Sequence, residues 1–450
     1  MNKFCINENV TIEIPTSCLN DTVKDVIYGL FYRMVNITYI PANGTYCKIG
    51  APETEREYNG DGEGEITVTQ KGIYVSAKDD KGVLDCLFMV LRKLEAVYAP
   101  NDAVCIQAPV FHEEVKPCLE RRMIHFCIME NTSPLLLKKA VRVSGTLGYT
   151  HVILESFGAF SLDCIPEIAW KDSKFTKDDY RAVVKEIKDM KMQVIPMFNC
   201  HGHAIMSDVN IMLEQNPRLA PYFSADGWRW NIANPNVLTL FRKIREELYE
   251  MCGDGEFFHI GMDESMTYPS DEESTDILEK FMQDLCGEVI AEGRRPILWG
   301  DSLMCKETFN VDKNKEGYEC NAPTEKIANR LIAALPKEVI VADWHYGVTT
   351  NRWITTQHFL TKGLTVMTCP WTDYPNIRGA VEQAKNGCFG IIQTTWNKLS
   401  EMWIQLLITH ERIYHNDVEI YYPYNIESKG ARALLRKVYF GGTRETSGAR

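Results

Sequence analysis

From Arg121 onward, short apolar runs of β character alternate with amphipathic stretches of helical period. That alternation constrains the fold more than any other feature, because parallel strands need long crossovers and a helix is the usual one. The runs fall at 122–127, 150–155, 194–199, 256–261, 296–300, 338–344, 364–369 and 388–395, each followed by a helical pattern or by a loop leading to one. Eight such units predict a (β/α)₈ barrel of the TIM type, an α/β fold. The helices are well specified locally. Thr176 precedes KDDYRAVVKEIKDMKM with Asp179 three residues on, the spacing of a capping box with an acidic first turn. An open doubly wound sheet is the competing architecture. No Gly-x-Gly-x-x-Gly or Walker loop follows any of the runs, so a nucleotide is not expected and no cofactor is assigned.

At 450 residues the chain exceeds a usual single core. Residues 1–115 mix β-rich runs (VTIEI, GEITVTQ, GIYVSA) with helical patterns around 21–34 and 82–96, and read as a small α/β domain. A linker is expected between Pro109 and Pro117, and residues 116–450 form the barrel with its final helices. The last segment, FGGTRETSGAR, has no strong pattern and is left as a tail or a homodimer contact.

A net charge of −12 argues against a surface that tracks nucleic-acid phosphates. The 15 cysteines are odd in number, scattered and without a Cys-x-x-Cys pair, which fits reduced thiols better than a disulfide framework. The N-terminal MNKFCINENVTIEIP lacks a secretory apolar stretch, and no run of eighteen apolar residues is long enough to span a bilayer. A cytoplasmic protein with no membrane partner is expected, and sequons such as Asn36-Ile37-Thr38 then carry no weight.

In such a barrel the chemistry sits at the C-terminal ends of the strands. Glu155 ends the second run, His201 and His203 follow the third, and His259, Asp263 and Glu264 follow the fourth. Trp299, Trp344, Trp371 and Trp396 stand at or just past the ends of runs five to eight. Any one of these is explained by packing; four together describe a cup whose flat faces suit the C–H face of a sugar, with Asp301, Asp373 and Asn397 to meet hydroxyls. An Asp-Glu pair after a strand is often only a helix cap or a solvated loop. His203 reads equally as a metal ligand, a support for an acid or a loop residue. A metal site would draw on Glu155, His259 and Asp263, a minority alternative beside the assignment of no metal.

The segment HIGMDES resembles the His-x-Gly-x-Asp-Glu signature of glycoside hydrolase family 20, the β-N-acetylhexosaminidases. RRMIHF, VIPMFNCHGHA, PILWGD, VADWHYG and QTTWN look like the family's other strand-end blocks, in order, and residues 1–115 resemble the small α/β domain that often precedes them. HVILESFGAF, in place of a His- and Asp-rich second block, is closest to the hexosaminidase D-like branch. The resemblance implies a retaining exo-enzyme removing terminal β-linked GalNAc or GlcNAc, with the substrate's own 2-acetamido oxygen as nucleophile, so that no second carboxylate ~5 Å away is needed. It makes Glu264 the proton donor and later base, and Asp263 the group that orients the acetamide and steadies the oxazolinium charge. Glu264 should then be held protonated by an apolar site or by Asp263. The resemblance also gives His203 and Glu155 supporting roles and assigns Arg122 to the C3 and C4 hydroxyls.

The sequence departs from the family pattern in three places. Cys127 stands where the first block normally ends in an acid, with Glu130 near the next expected arginine. Trp371-Thr372-Asp373 lacks the usual tyrosine, leaving Tyr346 or Tyr374 for the acetamide oxygen. Lys398 replaces an acid two residues past the last Trp, which unsettles the sugar preference. The alternatives are an exo-glycosidase of different sugar specificity and a non-catalytic glycan-binding barrel.

Overall fold

The computed structural model describes residues 3–6, 11–13, 20–23, 25–26, 46–49, 63–69, 72–77, 80–93, 95–98, 104–204, 216–225, 227–265, 271–309, 317–396, 399 and 401–414. Asn397, Lys398, most of the 21–34 pattern and the FGGTRETSGAR segment lie outside them.

Two small sheets come first. Strands β1 (Lys3–Ile6), β6 (Glu95–Tyr98) and β7 (Val104–Pro109) form one, in the order β1-β7-β6. Strands β2 (Thr11–Glu13), β3 (Tyr46–Ile49), β4 (Gly64–Thr69), β5 (Gly72–Ala77) and β8 (Phe111–Val115) form the other, in the order β2-β3-β5-β4-β8. Helix α1 (Asp80–Lys93) packs on the second. The stretch predicted as a linker is therefore mostly strand. FHEEV alternates in burial, and β8 pairs antiparallel with β4, so the prolines at 109 and 117 bound an element rather than a tether.

The barrel strands are β9 (Arg121–Ile128), β10 (His151–Ser156), β11 (Gln193–Met197), β12 (Phe257–His259), β13 (Arg295–Trp299), β14 (Ile340–Trp344), β15 (Thr365–Cys369) and β16 (Gly390–Gln393), all parallel and closed by β16 pairing with β9. Helices α2 (Pro134–Thr146), α3 (Lys177–Asp189), α4 (Pro235–Cys252), α5 (Glu272–Ala291), α6 (Glu325–Ala334), α7 (Ile354–Thr361), α8 (Tyr374–Ala384) and α9 (Trp403–Tyr414) follow the strands in turn. The α3 start carries the expected capping box between Thr176 and Asp179. All eight strands occupy the predicted runs. The shortest is β12, three residues long because the chain leaves the ladder to build the acidic loop, although Trp299 N still donates to Gly261 O at 2.9 Å.

Period-two alternation sorts each strand between two cores. On β9, Ile124, Phe126 and Ile128 face the helices, while Met123 joins Ile153, Ile195, Met197, Phe257, Ile297, Ile340, Met367 and Ile392 inside the barrel. Burying each such side chain contributes roughly 1.5–3 kcal/mol, so the barrel is a packed plug. Only its C-terminal mouth is left to hold a site.

Candidate active site

Two loops cross at the mouth, after β11 and after β12, and glycine lets them touch. A Cβ on Gly202 would stand 2.0 Å from Asp263 O, and one on Gly261 would stand 2.1 Å from Asn199 Oδ1. Three non-glycine residues nearby hold positive φ: His203 (49°), Met262 (83°) and Glu264 (43°). Such backbone is costly for side-chain-bearing residues and persists only where its surroundings over-determine it. Here they do. Glu264 N donates to Asp301 Oδ2 at 3.0 Å, and Trp228 Nε1 donates to Glu264 O at 2.6 Å.

His203 Nε2 lies 3.4 Å from Asp263 Oδ2 and 3.2 Å from Glu264 Oε2. Burial works against a charged ring, but the two carboxylates outweigh it and push His203 up to about 10. Burial raises Asp263 above the ordinary carboxylate range, with His203 opposing and Glu155 adding. Glu264 moves the other way: its contact with His203 lowers it, against a smaller effect of burial. This corrects the expectation that Glu264 is the carboxyl held protonated. The reason is first the His203 contact and then exposure, which keeps the opposing effect of burial small on Glu264. The Glu264 side chain is 41% exposed and Asp263 only 8%, so the desolvation cost falls on Asp263.

Trp299 and Trp344 are buried, whereas Trp371, Trp396 and Tyr346 are partly open and form the rim. Tyr346 packs with tilted rings at 5.1 Å from Trp344 and 5.3 Å from Trp371, and its hydroxyl accepts from Trp396 Nε1 at 2.5 Å. Asp301 lies beneath. Besides Glu264 N it accepts from Asn321 Nδ2, and its Oδ1 accepts from Trp344 Nε1 at 3.2 Å. Burial and the charge of Asp263 push Asp301 up to about 7. It is therefore a group that fixes the acid's backbone and one cup wall, where the sequence offered it for a hydroxyl.

Deeper in the mouth, His125 Nε2 meets Glu155 Oε2 at 2.6 Å, Asn199 Nδ2 donates to Glu155 Oε1 at 2.6 Å, and Cys127 Sγ lies 3.5 Å from Glu155 Oε2. The His125 ring packs 4.5 Å from Trp396 and 6.0 Å from Trp299. His259 sits 4.5 Å from Trp299; its Nδ1 accepts from Gly261 N, and burial followed by the nearness of His125 drives it far below the ordinary imidazole value. It is a neutral ring. His201 is likewise buried, and burial and then Arg229 push it down to about 3.

Asp263, Glu264, His203, His259, Glu155, Trp299, Asp301, Trp344, Tyr346, Trp371 and Trp396 thus come together. Arg122 does not. It is the second residue of β9, at the opposite end of the barrel, and its guanidinium donates to Gly148 O (2.7 Å), Leu119 O (2.8 Å) and Glu120 O (3.0 Å). Tyr374 heads α8 on the barrel's outer side, packed with Ile377 and Val381 and hydrogen-bonded to Arg412, so of the two tyrosines the sequence offered Tyr346 alone is at the mouth. Asp373, the N-cap residue of α8, is exposed and makes no side-chain cap bond. Nor do Glu155, His259 and Asp263 gather as metal ligands; the described residues that bring donor atoms within 4.8 Å of one another are His125, Cys127 and Glu155. Sequence reasoning missed His125, Asn199 and Trp228. The signal for His125 was available, since Met123, His125 and Cys127 share the inward face of one strand.

The model of the glycosyl hydrolase family 20 catalytic domain matches residues 153–398. Among curated proteins, the lacto-N-biosidase of Bifidobacterium bifidum is 24% identical over 300 residues, covering 61% of this chain and 25% of the relative; the chain spans about a quarter of that relative's length. Among solved structures, a chitobiase from Flavobacterium johnsoniae aligns over 99% of this chain and 71% of its own, at 15% identity and a TM-score of 0.67. The β-N-acetylhexosaminidase from Streptomyces coelicolor A3(2) aligns over 97% and 93%, at 14% and 0.67. An exo-β-N-acetylglucosaminidase from Vibrio harveyi, in complex with N-acetylglucosamine, aligns over 98% and 76%, at 14% and 0.66. These likenesses speak for the fold.

Proposed function

The chain belongs to glycosyl hydrolase family 20, and from that premise we propose that it is a retaining exo-β-N-acetylhexosaminidase that hydrolyses terminal β-linked GlcNAc or GalNAc by substrate assistance. One observation carries the reading: His203 stands within 3.4 Å of two adjacent carboxylates, one buried and one half-open, and Asp301 ties the backbone of the second to Trp344 of the cup. No protein carboxylate then has to attack the sugar. The acetamido oxygen attacks C1 while the bond to the leaving oxygen breaks, and Glu264 gives that oxygen its proton. Asp263 accepts the acetamido N–H and faces the positive charge on the oxazolinium ring. Glu264 then takes a proton from water, whose oxygen attacks C1 and restores the acetamide with the β configuration retained.

The proton has a source. In the free site His203 holds it and Glu264 is ionised. A sugar seated in the cup removes water from Glu264, which raises its proton affinity and favours transfer across the 3.2 Å contact. Tyr346 is the hydroxyl we assign to the acetamide oxygen. Within the family, HVILESFGAF favours the hexosaminidase D-like branch. A reducing, cytoplasmic setting remains part of the proposal, supported by the cysteines whose side chains are described, which are free thiols.

The test is turnover of p-nitrophenyl β-glycosides of GlcNAc, GalNAc, glucose and galactose. Fast turnover of an acetamido sugar with the plain hexosides at least ~10³-fold slower is expected, since only the former carry the nucleophile. Equal rates on both kinds would sink the assisted mechanism.

A further inference from the structure

We propose that His125, held by Glu155, takes the place of the expected arginine as the group that reads the ring hydroxyls of the bound sugar. This rests on the function proposed above and concerns the floor of the same site. Three observations lead there.

The arginine offered by the sequence is at the other end of the barrel with its donors committed to backbone carbonyls, so another polar group must meet the hydroxyls. His125 is the inward-facing imidazole on β9, and its ring packs against Trp396 and Trp299, the same tryptophans that line the cup. Finally, the polar atoms here are only half used. Glu155 takes Nε2 of His125 on one oxygen and Nδ2 of Asn199 on the other. Among the described residues, however, His125 Nδ1, His259 Nε2, Trp299 Nε1 and Asp263 Oδ1 are buried without a hydrogen-bond partner. Buried polar groups are seldom left so, and four at one mouth mark where a polyhydroxy ligand completes the bonding.

Glu155 accepts from Nε2–H of His125 on one oxygen as it does from Asn199 on the other, which fixes the tautomer and leaves Nδ1 as an acceptor for a sugar O–H; Trp299 Nε1–H and His259 Nε2–H are the matching donors. Glu155 is thus a positioning residue and His125 a recognition residue. The donor set of His125, Cys127 and Glu155 also suits a metal in kind. Yet Nε2 and Oε2 stand at 2.6 Å, a hydrogen-bond distance and closer than the ~3.3 Å between two ligands at ~2.0 Å on one tetrahedral zinc.

The test uses the full chain with p-nitrophenyl N-acetyl-β-glucosaminide, its 4-epimer, and its 3-deoxy and 4-deoxy forms. Wild type is expected to lose ~10- to 100-fold in kcat/KM when the hydroxyl read by His125 is removed. His125→Phe, which keeps a flat ring against the tryptophans, should lose that factor on the parent substrate and nothing further on the deoxy one. Glu155→Gln should shrink the deoxy penalty partway, and it decides the matter if His125→Phe does not fold. Four results overturn the proposal: no deoxy penalty in wild type; an undiminished penalty in a folded His125→Phe, or in Glu155→Gln where it decides; stoichiometric zinc in purified wild type that His125→Phe lacks; or a wild type that turns over no acetamido glycoside. The last alone also overturns the proposed function, so the two failures are told apart.

Discussion

The two ends of the barrel treat buried charge in opposite ways. At the N-terminal end the cations are spent: Arg122 on three backbone carbonyls, Arg294 on Gly253 O and Phe257 O, and Arg121 and Arg295 on the face of Phe389. At the C-terminal end Asp263 and Asp301 are raised by burial, His203 is shared between two carboxylates, and the backbone of three side-chain-bearing residues is forced to positive φ. The first end commits its cations to backbone and ring partners, with Lys191 the one side-chain-bearing residue at positive φ among the described residues there. The other keeps unspent polar capacity and local strain, which is where a barrel of this kind does its chemistry.

The comparison is broken most directly by removing the acid. Glu264→Gln should lower kcat on an unactivated glycoside by ~10³- to 10⁴-fold with an unchanged melting temperature, read by steady-state kinetics and calorimetry. Asp263→Asn is expected to cost ~10²- to 10³-fold in kcat, because a charge facing the oxazolinium is lost. The opposite end should answer in the opposite currency. Arg122→Met leaves three carbonyls without their donor, so urea unfolding should reveal a loss of about 2–4 kcal/mol while the folded fraction keeps its kcat.

Two smaller effects sharpen the contrast within the mouth. Asp301→Asn offers an amide where a carboxylate accepts from Glu264 N, Asn321 and Trp344, so kcat should fall about tenfold with KM little changed. His203→Asn removes the group that lowers Glu264. The acid form then survives to higher pH, and the alkaline limb of kcat/KM should move up while its maximum falls. The same contact has a stability signature. The two carboxylates push His203 up to about 10 in the folded protein, above its ordinary 6.5, so its stabilisation is full below 6.5 and lost as pH rises through about 10. The melting-temperature gap between wild type and His203→Asn should close across that window.

The barrel was legible because strand runs and helix caps are local, and the acidic loop at its mouth because HIGMDES is contiguous. Position along a strand was the harder reading. Arg122 and His125 are three residues apart on β9, yet that spacing separates the barrel's floor from its mouth, and a motif match carries no such depth. Tyr374 failed for a related reason: the proline after it starts a helix, which turns its ring onto the outer side. The direction of the Glu264 shift depends first on the His203 contact, which forms because the loops after β11 and β12 fold against each other, Gly202 against Asp263 O. It depends next on which of two neighbouring carboxylates is shielded from water.

Asp263 and Glu264 are consecutive residues, so their α-carbons are ~3.8 Å apart by covalent geometry. In a glycosidase whose two carboxyls face each other across the sugar, tertiary packing must maintain the gap, and warming or loosening the scaffold widens it. Here thermal breathing of the barrel cannot separate the pair. It can draw His203 and the tryptophans away, so a gently heated or loosened enzyme should first lose its grip on sugar and its proton supply, with the backbone spacing of its acidic pair intact.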